Sequence, residues 1–249
     1  MSTHSLIFDI GCHDGRDSEF YLKKGFTVVA VEANPSLCRQ LKQRFAGQIA
    51  SGQFLLVEKA IAEQGGDVEF YLNLKASIWG TIRPEYAWAH RAATKIVVPS
   101  ITFSELIESF GVPHYMKVDI DGADLLCVEG LANFPQRPRF ISIERSLSFG
   151  RQIHELRLLS KLDYTRYQVI DQETIRTQTP PDPAREGEYA DHRFELGDSG
   201  LFRRRIAARM ADGSRHHTAQ RRIVCAGQTY RLPSANASIE PLRRTWLVV

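Results

Sequence analysis

The chain has 249 residues, of which 43% are hydrophobic and 24% charged, with a net charge of +3. That length holds one sizeable α/β domain with an appendage, and the composition is that of a soluble globular protein. No run approaches the ~20 apolar residues of a membrane span, and the N-terminus lacks a basic region followed by a long apolar one. The four cysteines (Cys12, Cys38, Cys127, Cys225) form no C-x-x-C pair. A cytoplasmic protein with Cys as small core residues is expected, without a disulfide or zinc framework.

Apolar runs alternate with helical patterns, which predicts βαβ units and a mainly parallel sheet. Leu6–Ile10 reads as a first buried strand, followed by a helix over Asp14–Lys24 that Gly25 stops. Thr27–Glu32 is a second strand, rich in β-branched residues. Asn34-Pro35 then supplies an N-cap and a first-turn proline for a helix through Leu37, Leu41 and Phe45. Phe54–Val57 is a third strand continuing toward Ala60, and Gly65-Gly66 before "DVEFYL" predicts a hairpin-like excursion. Thr102-Phe103-Ser104-Glu105 matches a capping box. Tyr115–Asp119 is a fourth strand, Ala123–Glu129 a short helix ended by Gly130, and Arg139–Glu144 a fifth strand. His154–Leu162 is helical and Tyr167–Ile170 a sixth strand; past Thr177 the chain is a polar, proline-rich loop.

The first five strands each end at or just before an acid: Asp9, Glu32, Glu58, Asp119 and Glu144. Ligands of open parallel sheets bind outside the carboxyl ends of the strands, so five acids at that edge point to a binding site there. The turn Asp9-x-Gly11-x-x-x-Gly15 departs from G-x-G-x-x-G, which wants a third glycine beside a pyrophosphate. An acid before the first glycine is a poor cradle for phosphate but suits a cationic amino-acid group. Glu32, ending the second strand, stands where an acid accepts hydrogen bonds from ribose hydroxyls. An amino-acid end plus a ribose describes S-adenosylmethionine; the plainer alternative is a turn made by Gly11 and Gly15 and a strand capped by Glu32. The stretch Lys117-Val118-Asp119-Ile120-Asp121-Gly122-Ala123-Asp124 is no calcium loop, because its twelfth position from Asp119 is Gly130 and not a bidentate Glu.

Four stretches in order carry a family resemblance: "IFDIGCHDGRDSEFYLKKG…VVAVEANP", "VEKAIAEQGGDVEFYL", "VPSITFSELIESFGVPHYMKVDIDGADLLCVEGL" and "RFISIE". Together, from Leu6 to Ser146, they resemble the FkbM family of S-adenosylmethionine-dependent methyltransferases. Asp121 and Asp124 stand where that family's K-I-D-x-E-G-x-E signature usually has Glu, one methylene shorter with the charge kept. The resemblance implies a Rossmann-like class I methyltransferase fold: a mainly parallel seven-stranded sheet with helices on both faces and its last strand antiparallel. It further implies that Asp9, Gly11 and Gly15 hold the methionine end of the cofactor, Glu32 the ribose, Ala60 and Ile61 the border of the adenine, and Asp119 the reaction site.

Candidates for a general base are Asp119, Asp121, Glu144 and His13, all at the predicted strand edge. The resemblance favours O-methylation of a sugar or other small natural-product hydroxyl, with a small-molecule or glycan acceptor and neither membrane nor nucleic acid as partner. Nothing in the sequence fixes a metal, although Asp119, Asp121 and Glu144 are chemically able to ligate Mg²⁺. Three alternatives stand beside this: a NAD-dependent oxidoreductase, a nucleic-acid methyltransferase using a basic tail, and a non-catalytic cofactor-binding relative.

The expected organisation is a cofactor-binding core over 1–170, a Pro-rich, substrate-side segment over 171–202, and an atypical tail over 203–249. That tail carries ten Arg, no Lys and two acids, a charge of +8, which leaves −5 for Met1–Phe202. "DSGLF" (Asp198–Phe202) follows a pattern like the family's S-S-G-P-F-G-E-E, and then "RRRIAARMAD" departs from it. With suitable codons, Arg203–Asp212 read one nucleotide later gives Gly-Glu-Glu-Ser-Pro-Arg-x-Trp-Leu-Thr, close to that pattern. Two readings therefore stand, an out-of-frame translation with the last strand lost or altered, and a basic, disordered extension.

Overall fold

Leu6–Ile10 is buried along its whole length because both faces of the strand it forms, β1, are covered. Leu6, Phe8 and Ile10 face one core and Ile7 the other. The structure, a computed structural model, describes residues 5–73, 80–88, 93–144 and 148–201, and the strands at 222–225, 228–231 and 245–248. In chain order the elements are β1, α1 (Arg16–Lys23), β2 (Thr27–Val31), α2 (Pro35–Arg44), α3 (Ala46–Ala50), β3 (Phe54–Val57), β4 (Ala60–Ile61) and β5 (Gly66–Asn73). They continue with α4 (Pro84–Trp88), β6 (Ala93–Ile101), α5 (Phe103–Phe110), β7 (Tyr115–Val118), α6 (Asp124–Gly130), β8 (Phe140–Glu144), α7 (Phe149–Lys161) and β9 (Gln168–Asp171). The last are β10 (Arg222–Cys225), β11 (Gln228–Arg231) and β12 (Thr245–Val248).

The main sheet runs β11-β10-β9-β12-β8-β7-β1-β2-β3. Its centre, β3-β2-β1-β7-β8, is wholly parallel. Helices α5, α6 and α7 pack on one face of it and α1 and α2 on the other. The caps are those the sequence predicts. Asn34 Oδ1 accepts from the Ser36 N–H (2.9 Å) with Pro35 in the first turn, and Thr102 and Glu105 close a full capping box.

Three expectations change. Gly130 does not end its helix: it is the last residue of α6, which passes into a 3₁₀ turn, and the Phe103 ring packs where a Cβ would stand, 2.8 Å away. The excursion after Gly65 is larger than a hairpin, because β5 pairs antiparallel with β6 over its full length and β6 also pairs with β4. Neither α4 nor β6 was assigned from the sequence. The seventh, antiparallel strand is not lost: β12 lies between β8 and β9, antiparallel to both. Within the same expected tail β10 pairs with β9 and with β11 at the sheet edge, and the remaining tail residues lie outside the described ones.

Candidate functional site

Strands β1, β2, β7, β8 and β9 all end at one edge, and a cavity of about 510 Å³ opens there. That is within the ~300–1,000 Å³ usual for small-molecule sites. Its floor is where the loops after β1 and β7 touch. The Asp119 N–H donates to the Ile10 carbonyl (2.9 Å) and the Gly11 N–H to the Val31 carbonyl (2.9 Å). Gly11 has φ +75°, and a Cβ there would lie 2.0 Å from the Asp119 carbonyl oxygen. No other residue fits without moving the backbone.

Glu32 stands at the end of β2 with 8% of its surface exposed. Its Oε2 accepts from the His13 N–H (2.9 Å) and its Oε1 from the Asn34 N–H (2.8 Å). Burial raises its pKa, and those two amides oppose the rise. The carboxylate is thereby fixed in direction, facing the cavity beside Ala60 and Ile61. His13 lines the cavity too, at φ +51°, with its Nδ1 3.7 Å from Asp14. Burial raises Asp14, but the hydrogen bond with His13 and the Arg16 charge outweigh it and hold the carboxyl well below the usual range.

Asp119, Asp121 and Glu144 line the far side, at the ends of β7 and β8. Asp121 is left-handed (φ +36°), and its carbonyl accepts from Thr81 Oγ1 (2.7 Å). The loop is held from behind by Asp124, whose carboxylate accepts from the N–H groups of Ile120 (3.1 Å) and Gly122 (3.2 Å). Among the described residues no group of three His, Cys, Asp or Glu is placed to hold a metal ion, so Asp119, Asp121 and Glu144 do not form the Mg²⁺ set considered above.

Eight of the predicted site residues thus meet at one cavity, and two stand behind it. Asp9 is fully buried on the α1 face, accepting from Ser18 Oγ (2.6 Å) and from Lys117 Nζ (3.1 Å). It reaches the cavity only through Lys117. Gly15 (φ +79°) starts α1 and packs against Phe45 and Leu41. Glu58, the fifth strand-end acid, is partnered with Lys42 (2.5 Å) on the surface and is not among the residues that line this cavity.

Sequence reasoning missed Lys117, Asp17 and Arg16 here, together with the segment Leu196–Ser199 that they hold. Lys117 Nζ contacts the Gly11 carbonyl (3.0 Å) and lies 3.6 Å from Asp17 and 3.9 Å from Asp119. Burial disfavours its charge, but the carboxylates of Asp9, Asp17 and Asp119 outweigh that and keep it protonated. Asp17, on the buried face of α1, accepts from both the N–H (2.9 Å) and the Oγ (2.7 Å) of Ser199. Arg16 reaches Asp198 (3.4 Å) and the Leu196 carbonyl (3.3 Å). Leu196–Ser199 is therefore a strap tied to α1, with Leu196, Gly197 and Asp198 forming part of the cavity wall. The one hint in the sequence was two acids, Asp17 and Glu19, at the start of a helix with only Asp17 on its apolar side.

A family model described as the methyltransferase FkbM domain matches residues 9–166. No curated protein matches. Among solved structures, a precorrin-6Y C5,15-methyltransferase from Geobacter metallireducens GS-15 is 13% identical with a TM-score of 0.38, over 67% of this chain and 64% of that one. A methyltransferase FkbM from Methylobacillus flagellatus KT is 14% identical with a TM-score of 0.41, over 68% of this chain and 40% of that one. A putative rRNA-methylase from Clostridium thermocellum is 8% identical with a TM-score of 0.38, over 67% and 75%. This chain thus matches less than two thirds of the length of the first two. Among the described residues no helix is long and apolar enough to cross a membrane.

Proposed function

The chain belongs to the FkbM family of S-adenosylmethionine-dependent methyltransferases, and from that premise we propose that it methylates a hydroxyl of a sugar or other small natural product. The carrying observation is a single cavity with two unlike sides, one fitting an adenosyl group and the other lined by carboxylates. Glu32 offers a fixed carboxylate for ribose hydroxyls, Ala60 and Ile61 offer apolar surface for adenine, and the Gly11 main chain lines the cavity where the methionine end would lie. When bound there, S-adenosylmethionine supplies a methyl group already activated on a sulfonium.

The protein's own part is alignment and proton removal. Holding an acceptor in line contributes up to ~7–11 kcal/mol. A carboxylate taking the hydroxyl proton contributes a further ~10²–10⁴-fold. Asp119, Asp121 and Glu144 are the candidates for that proton, with His13 a fourth at the border of the two sides. The balance of charge supports a neutral acceptor over a polyanion. Among the described lining residues nine are acids and three, Arg16, Lys59 and Lys117, are cations.

The test offers labelled S-adenosylmethionine and a panel of sugars, polyols, amides and nucleic acids to the full chain. Label entering a hydroxyl is expected, and label entering only amide nitrogen or nucleic acid overturns the reading. Glu144→Gln and Asp119→Asn are then compared: one of them is expected to lose ~10²–10⁴-fold in turnover while S-adenosylhomocysteine binds within about threefold of wild type.

A further inference from the structure

Lys117 is a buried cation on a central strand, 3% exposed, and nothing above gives it a task. Its cross-strand neighbour on β1 is Asp9, and that pair alone would satisfy the charges of both. A pair kept only for stability gains little, since apolar residues of similar volume serve as well or better in a buried position. The ammonium does more than pair. It also donates to the Gly11 carbonyl (3.0 Å), the residue whose φ of +75° shapes the loop after β1. It stands 3.9 Å from Asp119 Oδ2 at the start of the loop after β7. Finally it lies 3.6 Å from Asp17 Oδ2, the same oxygen that accepts from Ser199 Oγ at 2.7 Å.

We propose that Lys117 is the positioning residue of this site: its ammonium ties the Gly11 loop to the Asp119 loop and, through Asp17, to the strap at Ser199. The inference rests on the methyltransferase reading, because those segments are the cofactor side, the acceptor side and the wall of one cavity. Lys117 acts through the groups it holds. It sets the distance between the main chain that receives the methionine end and the carboxylate that faces the acceptor. An error of about 1 Å in such a distance costs on the order of 10²-fold in rate. Its central position explains how a strap 180 residues from Arg16 in sequence keeps register with the floor beneath it.

The test uses the full chain and two variants. Lys117→Met strands the Asp9 carboxylate in the core, so the charge-balanced Asp9→Asn/Lys117→Met double variant is made beside it to keep the fold. Hydrogen exchange is followed in the ligand-free protein and S-adenosylhomocysteine is titrated calorimetrically. In the double variant the expected result is faster exchange confined to the Gly11–Gly15, Ile120–Ala123 and Ser199 amides, with β2 and β8 unchanged. S-adenosylhomocysteine is expected to bind ~100-fold more weakly. For any acceptor the first test identifies, kcat is expected to fall at saturating cofactor, which a purely structural loss would not produce in a folded variant. Exchange and affinity equal to wild type in the double variant overturn the proposal. A wild-type chain that binds no S-adenosylhomocysteine sinks the methyltransferase reading instead, and the exchange pattern still decides whether Lys117 holds the three segments together.

Discussion

On the side of β1, β2 and β4 the cavity is lined by the Gly11 main chain, by Ala60 and Ile61, and by the Glu32 carboxylate clamped by two amides, with the charged Asp14, Arg16 and Lys59 beside them. On the side of β7, β8 and β9 it is walled by carboxylates carried at strand ends and by a strap held through side chains. The floor of the first side, at Gly11, can be altered only by moving backbone, which suits a ligand that does not change. The second side can be altered by one substitution with the sheet left intact, and in the proposed reading it is the side that would set acceptor choice. Breaking each side separately measures how far they are independent.

The largest effect is expected from Gly11→Ala. A Cβ 2.0 Å from the Asp119 carbonyl oxygen, at φ +75°, forces both loops apart. S-adenosylhomocysteine affinity is expected to fall more than ~100-fold, which is about 3 kcal/mol. Calorimetry checks this, and near-wild-type binding would mean that the two sides do not share a floor.

A middling effect belongs to the acceptor side and depends on pH. Asp124 is pushed up to about 6, by burial first and by the Asp119 charge second. Its unfolded value is ~3.9. The folded state therefore holds the proton more tightly, and the stabilisation present below pH ~4 is lost as pH rises through about 6. Asp124→Asn keeps the uncharged form throughout. Relative to wild type it is expected to gain up to about 3 kcal/mol between pH 4 and 7, read from urea unfolding across that range. A pH-independent difference would remove Asp124 as the source.

The smallest effect is expected at the strap. Ser199→Ala removes the Oγ donor to Asp17 and leaves the N–H in place. A loss of about 1 kcal/mol of stability is expected from thermal melts, with S-adenosylhomocysteine affinity within about threefold of wild type.

What the sequence disclosed follows the same division. Five parallel strands were legible as buried apolar runs, and Asn34-Pro35 and Thr102–Glu105 as caps, because each signal lies within a few residues. Gly11 and Glu32 were legible because a tight turn and a strand end have local signatures. The placement of Asp9 was not legible in the same way: an acid near a strand end is expected to face the ligand, and the alternation of the strand turns this one onto the α1 face, toward Lys117. Lys117 and Asp17 carry no local signature, since their partners come from β1 and from Ser199, a separation of 182 residues in the latter case. Strand β6 escaped because its outward residues include Val97, 66% exposed, which blurs the alternation of apolar and polar positions.

The place of β12 bears on how the protein is made. It is hydrogen-bonded to β8 on one side and β9 on the other, yet it follows both by a long stretch of chain. During synthesis at ~5–20 residues per second, β8 and β9 wait several seconds with a vacant slot between them. Each is then an open edge, with its amide and carbonyl groups ready to pair with any extended segment nearby. The interval before Thr245–Val248 emerges is when a nascent chain is most prone to stick to its neighbours, and when a chaperone that covers bare strands would raise the yield most.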